Sequence, residues 1–115
     1  MSLAIPKQKR VLDPGYLNWV KTLNCFGCNA PADTAHHIKG YKLCGAGRKA
    51  DDYLTMPMCN GCHTLLHHNP KKWEKNHHKQ LACILHTLDD GHTLGKISTN
   101  NYDKYTQICL KAWEY

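Results

Sequence analysis

The sequence predicts a small α+β domain closed by a bound metal ion. Three observations predict it. Two Cys-x-x-Cys pairs, Cys25/Cys28 and Cys59/Cys62, stand thirty residues apart. Between them lie two short runs with strand character, residues 34–39 and 53–58. Helix-start signals follow the second pair. At 115 residues the chain fits one domain. Its apolar fraction is 42% with a single Phe, and its mean hydropathy is negative, so the core is modest. A structural ion would help to hold such a core; zinc, with its affinity for thiolates, is the candidate.

The elements can be justified in order. Residues 1–12 carry Lys7, Lys9 and Arg10 without helical periodicity and read as a basic arm; residues 13–115 form the domain. Asp13-Pro14 is an N-cap followed by a proline at the first helical position, which predicts a helix over 14–23. Cys25-Phe26-Gly27-Cys28 is a tight turn. Residues 40–50, with three glycines and three basic side chains, form a loop between the two strands. A helix covers 60–68. Asn69-Pro70 restarts a helix by the same cap logic, and Trp73, His77, Leu81, Ile84, Leu85 and Leu88 keep helical spacing until Gly91 ends it. Residues 92–99 form a loop. A last helix over 101–113 gathers Tyr102, Tyr105, Ile108, Cys109 and Trp113 on one side, a face that could also pair with a second copy. Oligomeric state stays open.

Composition narrows the setting. Seven cysteines cannot all pair, and the start of the chain has no secretory h-region. No apolar run approaches a membrane span. A reducing cytoplasm is expected, where paired cysteines point to metal rather than to disulfides. The net charge of +6 points to an anionic partner, DNA above all, although a solvated basic surface is the plainer alternative.

A Cys-x-x-Cys turn aims two thiolates at one ion, and two such turns complete a tetrahedral zinc site. Such a site has no open position, so it stabilises and does no chemistry. A redox pair or unrelated buried cysteines are the alternatives. Cys83 and Cys109 lie among helical apolar residues and read as core, and Cys44 sits unassigned in the loop. If the cysteines satisfy one another, the histidines are left over. His63 and His67, four apart on a helix, project from one face. His36 and His37 are neighbours on a strand and point to opposite faces, so only one of them can join a second ion. The other is free for proton transfer, which suits an imidazole. Taken singly, each of these histidines is an ordinary surface or core residue. His77, His78, His86 and His92 read as surface or packing groups, and His68 has no task.

The order Cys25-x-x-Cys28, His36-His37-Ile38, Gly40, Gly45 to Lys49, Asp51-Asp52, Pro57 and Cys59-x-x-Cys62-His63-x-x-x-His67 resembles the HNH endonuclease family. It looks closest to phage and prophage recombination-associated members. The likeness covers residues 25–68. It implies a ββα-metal core with flanking helices over 70–115. It also implies His36, His63 and His67 as ligands of a catalytic divalent ion and His37 as general base. The ion would be Mg²⁺ or Mn²⁺, with Zn²⁺ or Ni²⁺ able to occupy three imidazoles. The family's central asparagine is missing. Asp52 stands in its place, where a side-chain acceptor can orient His37. The implied activity is DNA phosphodiester hydrolysis with little sequence specificity, with Lys39, Lys42, Arg48 and Lys49 on the phosphates. Lys71, Lys72, Lys75 and Lys79 could extend that patch. A recombinase or other recombination protein is a possible partner in the bacterial host cytoplasm. The alternative is a non-catalytic zinc-ribbon module that binds DNA or protein within a phage recombination complex. That module needs the cysteines but not convergence of the histidines.

Overall fold

A computed structural model describes residues 10–43 and 49–114. Lys7, Lys9, Cys44 and Arg48 lie outside these residues. The described chain is an α+β fold of one two-stranded sheet and five helices. In order these are α1 (Pro14–Val20), β1 (Thr34–His37), β2 (Thr55–Met58), α2 (Asn60–His68), α3 (Pro70–Asn76), α4 (Gln80–Thr93) and α5 (Thr99–Ala112). Among the described residues no helix is long and apolar enough to cross a membrane.

Helix starts follow the local chemistry. Asp13 Oδ1 accepts the Tyr16 N–H at 3.0 Å, and Asn69 Oδ1 accepts the Lys72 N–H at 3.1 Å. Both satisfy donors that a helix start leaves open, with Pro14 and Pro70 supplying the preset φ. Ser98 caps α5 in the same way through the Asn101 N–H. Helix α1 gives way to tighter turns after Val20, where the Thr22 and Leu23 N–H groups reach back three residues.

β1 and β2 run antiparallel, pairing His36 with Met56 and His37 with Thr55. β2 is buried along its whole length, so its hydrophobic pattern is continuous rather than alternating. α1 packs on both strands, α4 on β2 and α2 on β1, while α5 packs on α4. Leu66, Leu81, Ile84 and Leu88 are fully buried at the junctions. Each contributes roughly 2 kcal/mol by leaving water.

The helix expected over 70–91 is two helices. It breaks at residues 77–79 because local partners favour the break. The His77 ring stacks on Trp73 at 4.6 Å and its Nδ1 lies 3.0 Å from the Trp73 carbonyl oxygen. Glu74 Oε2 then accepts the Gln80 N–H at 2.7 Å and caps the new helix. Gly91 does not end α4. A Cβ there would sit 3.1 Å from the rings of Tyr16 and Trp19, so its role is to let α1 approach α4. The stop is at Gly95, whose φ of +71° suits glycine. Its N–H bonds to the His92 carbonyl, and the Lys96 N–H bonds to the Gly91 carbonyl.

Candidate metal centres

The first centre is built where the 25–28 turn meets the start of α2. Residues 24–31 form a small hairpin: the Cys25 N–H bonds to the Ala30 carbonyl and the Asn29 N–H to the Cys25 carbonyl, with Asn29 at positive φ. The Phe26 N–H reaches the Pro57 carbonyl at 3.3 Å, tying this hairpin to β2. Cys59 is the N-cap of α2, and its Sγ accepts the Cys62 N–H at 3.4 Å. These placements bring the sulfurs of Cys25, Cys28, Cys59 and Cys62 within 4.8 Å of one another. The Cys28 and Cys59 sulfurs are 3.5 Å apart. Four thiolates about 2.3 Å from a tetrahedral zinc lie about 3.8 Å apart, so the cluster can hold such an ion. Burial raises the Cys25 thiol pKa, but backbone N–H groups of Cys59, Cys28 and Gly27 outweigh it and bring it down to about 7. Burial pushes Cys62 up. Cys83 and Cys109, buried in the helical core, are raised to about 12 and remain thiols.

The second centre lies one turn further along α2. His63 and His67 share a face, and His36 on β1 meets them. Their ring nitrogens come within 4.8 Å of one another. The His63 and His67 Nε2 atoms are 2.8 Å apart, a distance at which one neutral ring donates to the other. His36 is 1% exposed. Its Nε2 contacts Gln80 Oε1 at 2.9 Å, and its Nδ1 is buried with no hydrogen-bond partner among the described residues. An orphaned lone pair beside two further imidazoles fits a metal ligand. Burial lowers the pKa of all three rings. For His36 it falls from 6.5 to about 3, with the charges of His63 and His67 acting the same way against the Gln80 hydrogen bond. His67 and Lys39 add to the effect of burial at His63, and Lys39 and His68 add to it at His67. All three are therefore biased towards the neutral, metal-binding form.

His37 is not part of this cluster. Its Nε2 donates to Asp52 Oδ1 at 2.8 Å, and Asp52 Oδ2 accepts the Asp13 N–H at 2.8 Å. Burial lowers the His37 pKa, the charges of Lys49 and Arg10 act the same way, and Asp52 opposes them. Asp52 is in turn located by the segment that precedes α1. The Asp52 N–H bonds to the Val11 carbonyl, and Asp51 Oδ1 accepts the Val11 N–H at 2.9 Å.

Among the basic candidates, Lys39 and Lys49 are exposed and close enough to bias the histidines. Lys42 is exposed and lines a cleft of about 610 Å³ with Lys39, Tyr41, His68 and Lys71. Lys79 instead lies over the Trp113 ring. His77, His86 and His92 pack on Trp73, Phe26 and Tyr102. Sequence reasoning passed over Gln80 and the Val11–Asp13 segment. Asp13 signalled only a helix cap, and Gln80 lies forty-four residues from His36.

A family model described as a protein of unknown function, DUF968, matches residues 1–95. The chain belongs to that family. The uncharacterized protein YdfU of Escherichia coli K12 is 33% identical over 96 residues, which is 84% of this chain. The aligned part is 28% of that relative's length. No solved structure matches. Both clusters, the His37–Asp52 pair and Gln80 fall inside the span matched to the family, whereas α5 lies beyond it.

Two outcomes follow from this geometry. A Cβ on Gly27 would sit 2.6 Å from the Cys62 sulfur, so Gly27→Ala must displace one of the sulfurs. Zinc affinity should fall by about tenfold or more, the scale at which a metal site responds to changes just outside its ligands; competition with a chromophoric chelator reads it. In metal-free protein, the unfolded chain protonates at His36 near 6.5 while the folded chain does not until about 3. The stability this provides is complete above the unfolded value and is lost as pH falls. Between pH 6.5 and 4.5 the loss is about 2 kcal/mol from His36 alone. Urea unfolding at both pH values should show that loss, and His36→Leu should shed it.

Proposed function

We propose that this chain is a metal-dependent HNH endonuclease that hydrolyses DNA phosphodiester bonds with little sequence specificity. The observation that carries this reading is the convergence of His36, His63 and His67 beside a histidine that Asp52 holds by one nitrogen. β1, β2 and α2 also follow one another in the order that a ββα-metal core requires, which supports the resemblance set out above.

A divalent ion on the three imidazoles would supply positive charge to a nonbridging phosphate oxygen and to the leaving 3′ oxygen. The rest of the chemistry falls to the chain. Asp52 takes the Nε2–H of His37, which leaves the Nδ1 lone pair as the basic position. There His37 removes a proton from a water as that water attacks phosphorus. The P–O3′ bond breaks, the leaving oxygen takes a proton from solvent, and the products are a 5′-phosphate and a 3′-hydroxyl. The lowered pKa keeps His37 neutral and ready to accept at neutral pH. Lys39 and Lys49 face the same region and would contact phosphates without reading bases. The four-cysteine cluster would hold zinc and carry no chemistry.

A non-catalytic zinc module in a recombination complex would account for the cysteines and the net charge. It leaves the histidine cluster and the His37–Asp52 pair without a task. The test is plasmid nicking with Mg²⁺, with Mn²⁺ and with EDTA. Wild type should nick with metal and not with EDTA. His37→Ala should keep its fold and its zinc but lose about 10²–10⁴-fold in rate. Equal cleavage by both proteins overturns the assignment of the base.

A further inference from the structure

Gln80 is an unusual residue to find where it is. It stands at the first position of α4, between exposed Lys79 and the core, yet it is 0% exposed. Burying a flexible amide costs rotamer freedom and needs every polar atom to be matched. Here each is matched. Gln80 Oε1 accepts the Lys39 N–H at 3.0 Å, and Gln80 Nε2 donates to the Lys39 carbonyl at 3.0 Å. The side-chain amide thus pairs with the backbone of Lys39 as a neighbouring strand would. Glu74 fixes the backbone of the same residue, accepting both the Gln80 N–H and the Tyr41 hydroxyl at 2.7 Å.

That pairing settles which way the amide faces. A flipped amide would set its N–H groups against the Lys39 N–H and its oxygen against the Lys39 carbonyl. With the oxygen fixed, the contact at 2.9 Å to His36 Nε2 has one solution: Nε2 carries the proton and donates. The remaining nitrogen, Nδ1, is then a bare lone pair, and it is the buried atom without a partner.

We propose that Gln80 is a positioning residue that holds His36 in the Nε2–H tautomer and so presents Nδ1 as the metal-binding atom towards His63 and His67. The inference rests on the metal reading of the histidine cluster and deepens it. It also gives the break at residues 77–79 a function. The break starts a fresh helix whose first side chain turns inward and reaches the end of β1. Two of the three side-chain bonds of Gln80 merely secure the exit of β1; the third acts on the site. A role confined to β1 would leave the tautomer and the metal affinity untouched, so these are the quantities to measure.

The experiment uses the full chain with its cysteine-held zinc. Two-bond ¹H–¹⁵N correlation NMR reads the His36 tautomer before metal is added, and loss of the free Mn²⁺ EPR signal reads binding. Wild type should show His36 protonated at Nε2. Gln80→Met, similar in size without the amide oxygen, should lose that preference and bind Mn²⁺ about 10–100-fold more weakly at unchanged zinc content. Protonation at Nδ1 in wild type overturns the proposal even if the Met variant does not fold. Unchanged Mn²⁺ affinity and tautomer in Gln80→Met overturn it as well. If wild type binds no Mn²⁺ at all, the metal reading fails. The tautomer comparison between wild type and Gln80→Met then decides the role of Gln80 by itself.

Discussion

The four sulfurs gathered at the start of α2 are the constraint on which the other geometry turns. Cys59 caps the helix and Cys62 lies in its first turn, so the cluster fixes both the position and the rotation of α2. His63 follows Cys62 directly, and His67 comes one helical turn later. Once α2 is clamped, the direction of both imidazoles is set by the pitch of the helix. Leu66, fully buried on the same side of the helix as Cys62, seats α2 against the core. The 25–28 hairpin is tied to β2 through Phe26 and Pro57, and β2 is paired with β1. One cluster therefore holds α2 in register with the strand that carries His36. The crowding of cysteine and histidine between residues 59 and 67 reflects two adjacent ligand clusters on one helix.

A second network locates the other histidine. Asp51 and Asp52 lie just before β2 and are held from two directions. The Val11–Asp13 segment binds both through its backbone, and Tyr105 of α5 donates to Asp51 at 2.8 Å. Tyr53 donates to Asp13 and packs between the rings of Tyr16 and Tyr105. A carboxylate as buried as Asp52 is costly unless its oxygens are matched, and here both are. This scaffold lets Asp52 meet His37 in a fixed orientation. It also gives α5, which lies beyond the span matched to the family, a mechanical link to the site.

Much of this was legible because it is local. Asp13-Pro14 and Asn69-Pro70 declare helix starts through their own side chains. The Cys-x-x-Cys spacings describe a ligand set without reference to the rest of the chain. The His63/His67 spacing places two rings on one face whatever surrounds the helix. The errors arose where a long-range contact overruled a local pattern. Apolar spacing from Trp73 to Leu88 runs unbroken through residues 77–79, yet Glu74 and the stacked His77 stop the helix there. Gly91 looks like a terminator, but the rings of Tyr16 and Trp19 set its identity. Gln80 carries no motif at all, because its meaning depends on His36 and Lys39, some forty residues away.

The central claim is that α2 serves two separate ions, one held by sulfur and one by imidazole. Metal content measured by mass spectrometry on three proteins tests it most directly. Wild type, His63→Ala/His67→Ala and Cys25→Ser would each be equilibrated with Zn²⁺ and Mn²⁺ and then freed of loose metal. The account predicts that the double histidine variant keeps its zinc and its fold but loses the second ion, whereas Cys25→Ser loses the zinc. Loss of the zinc from the histidine variant would show one shared site and contradict the account.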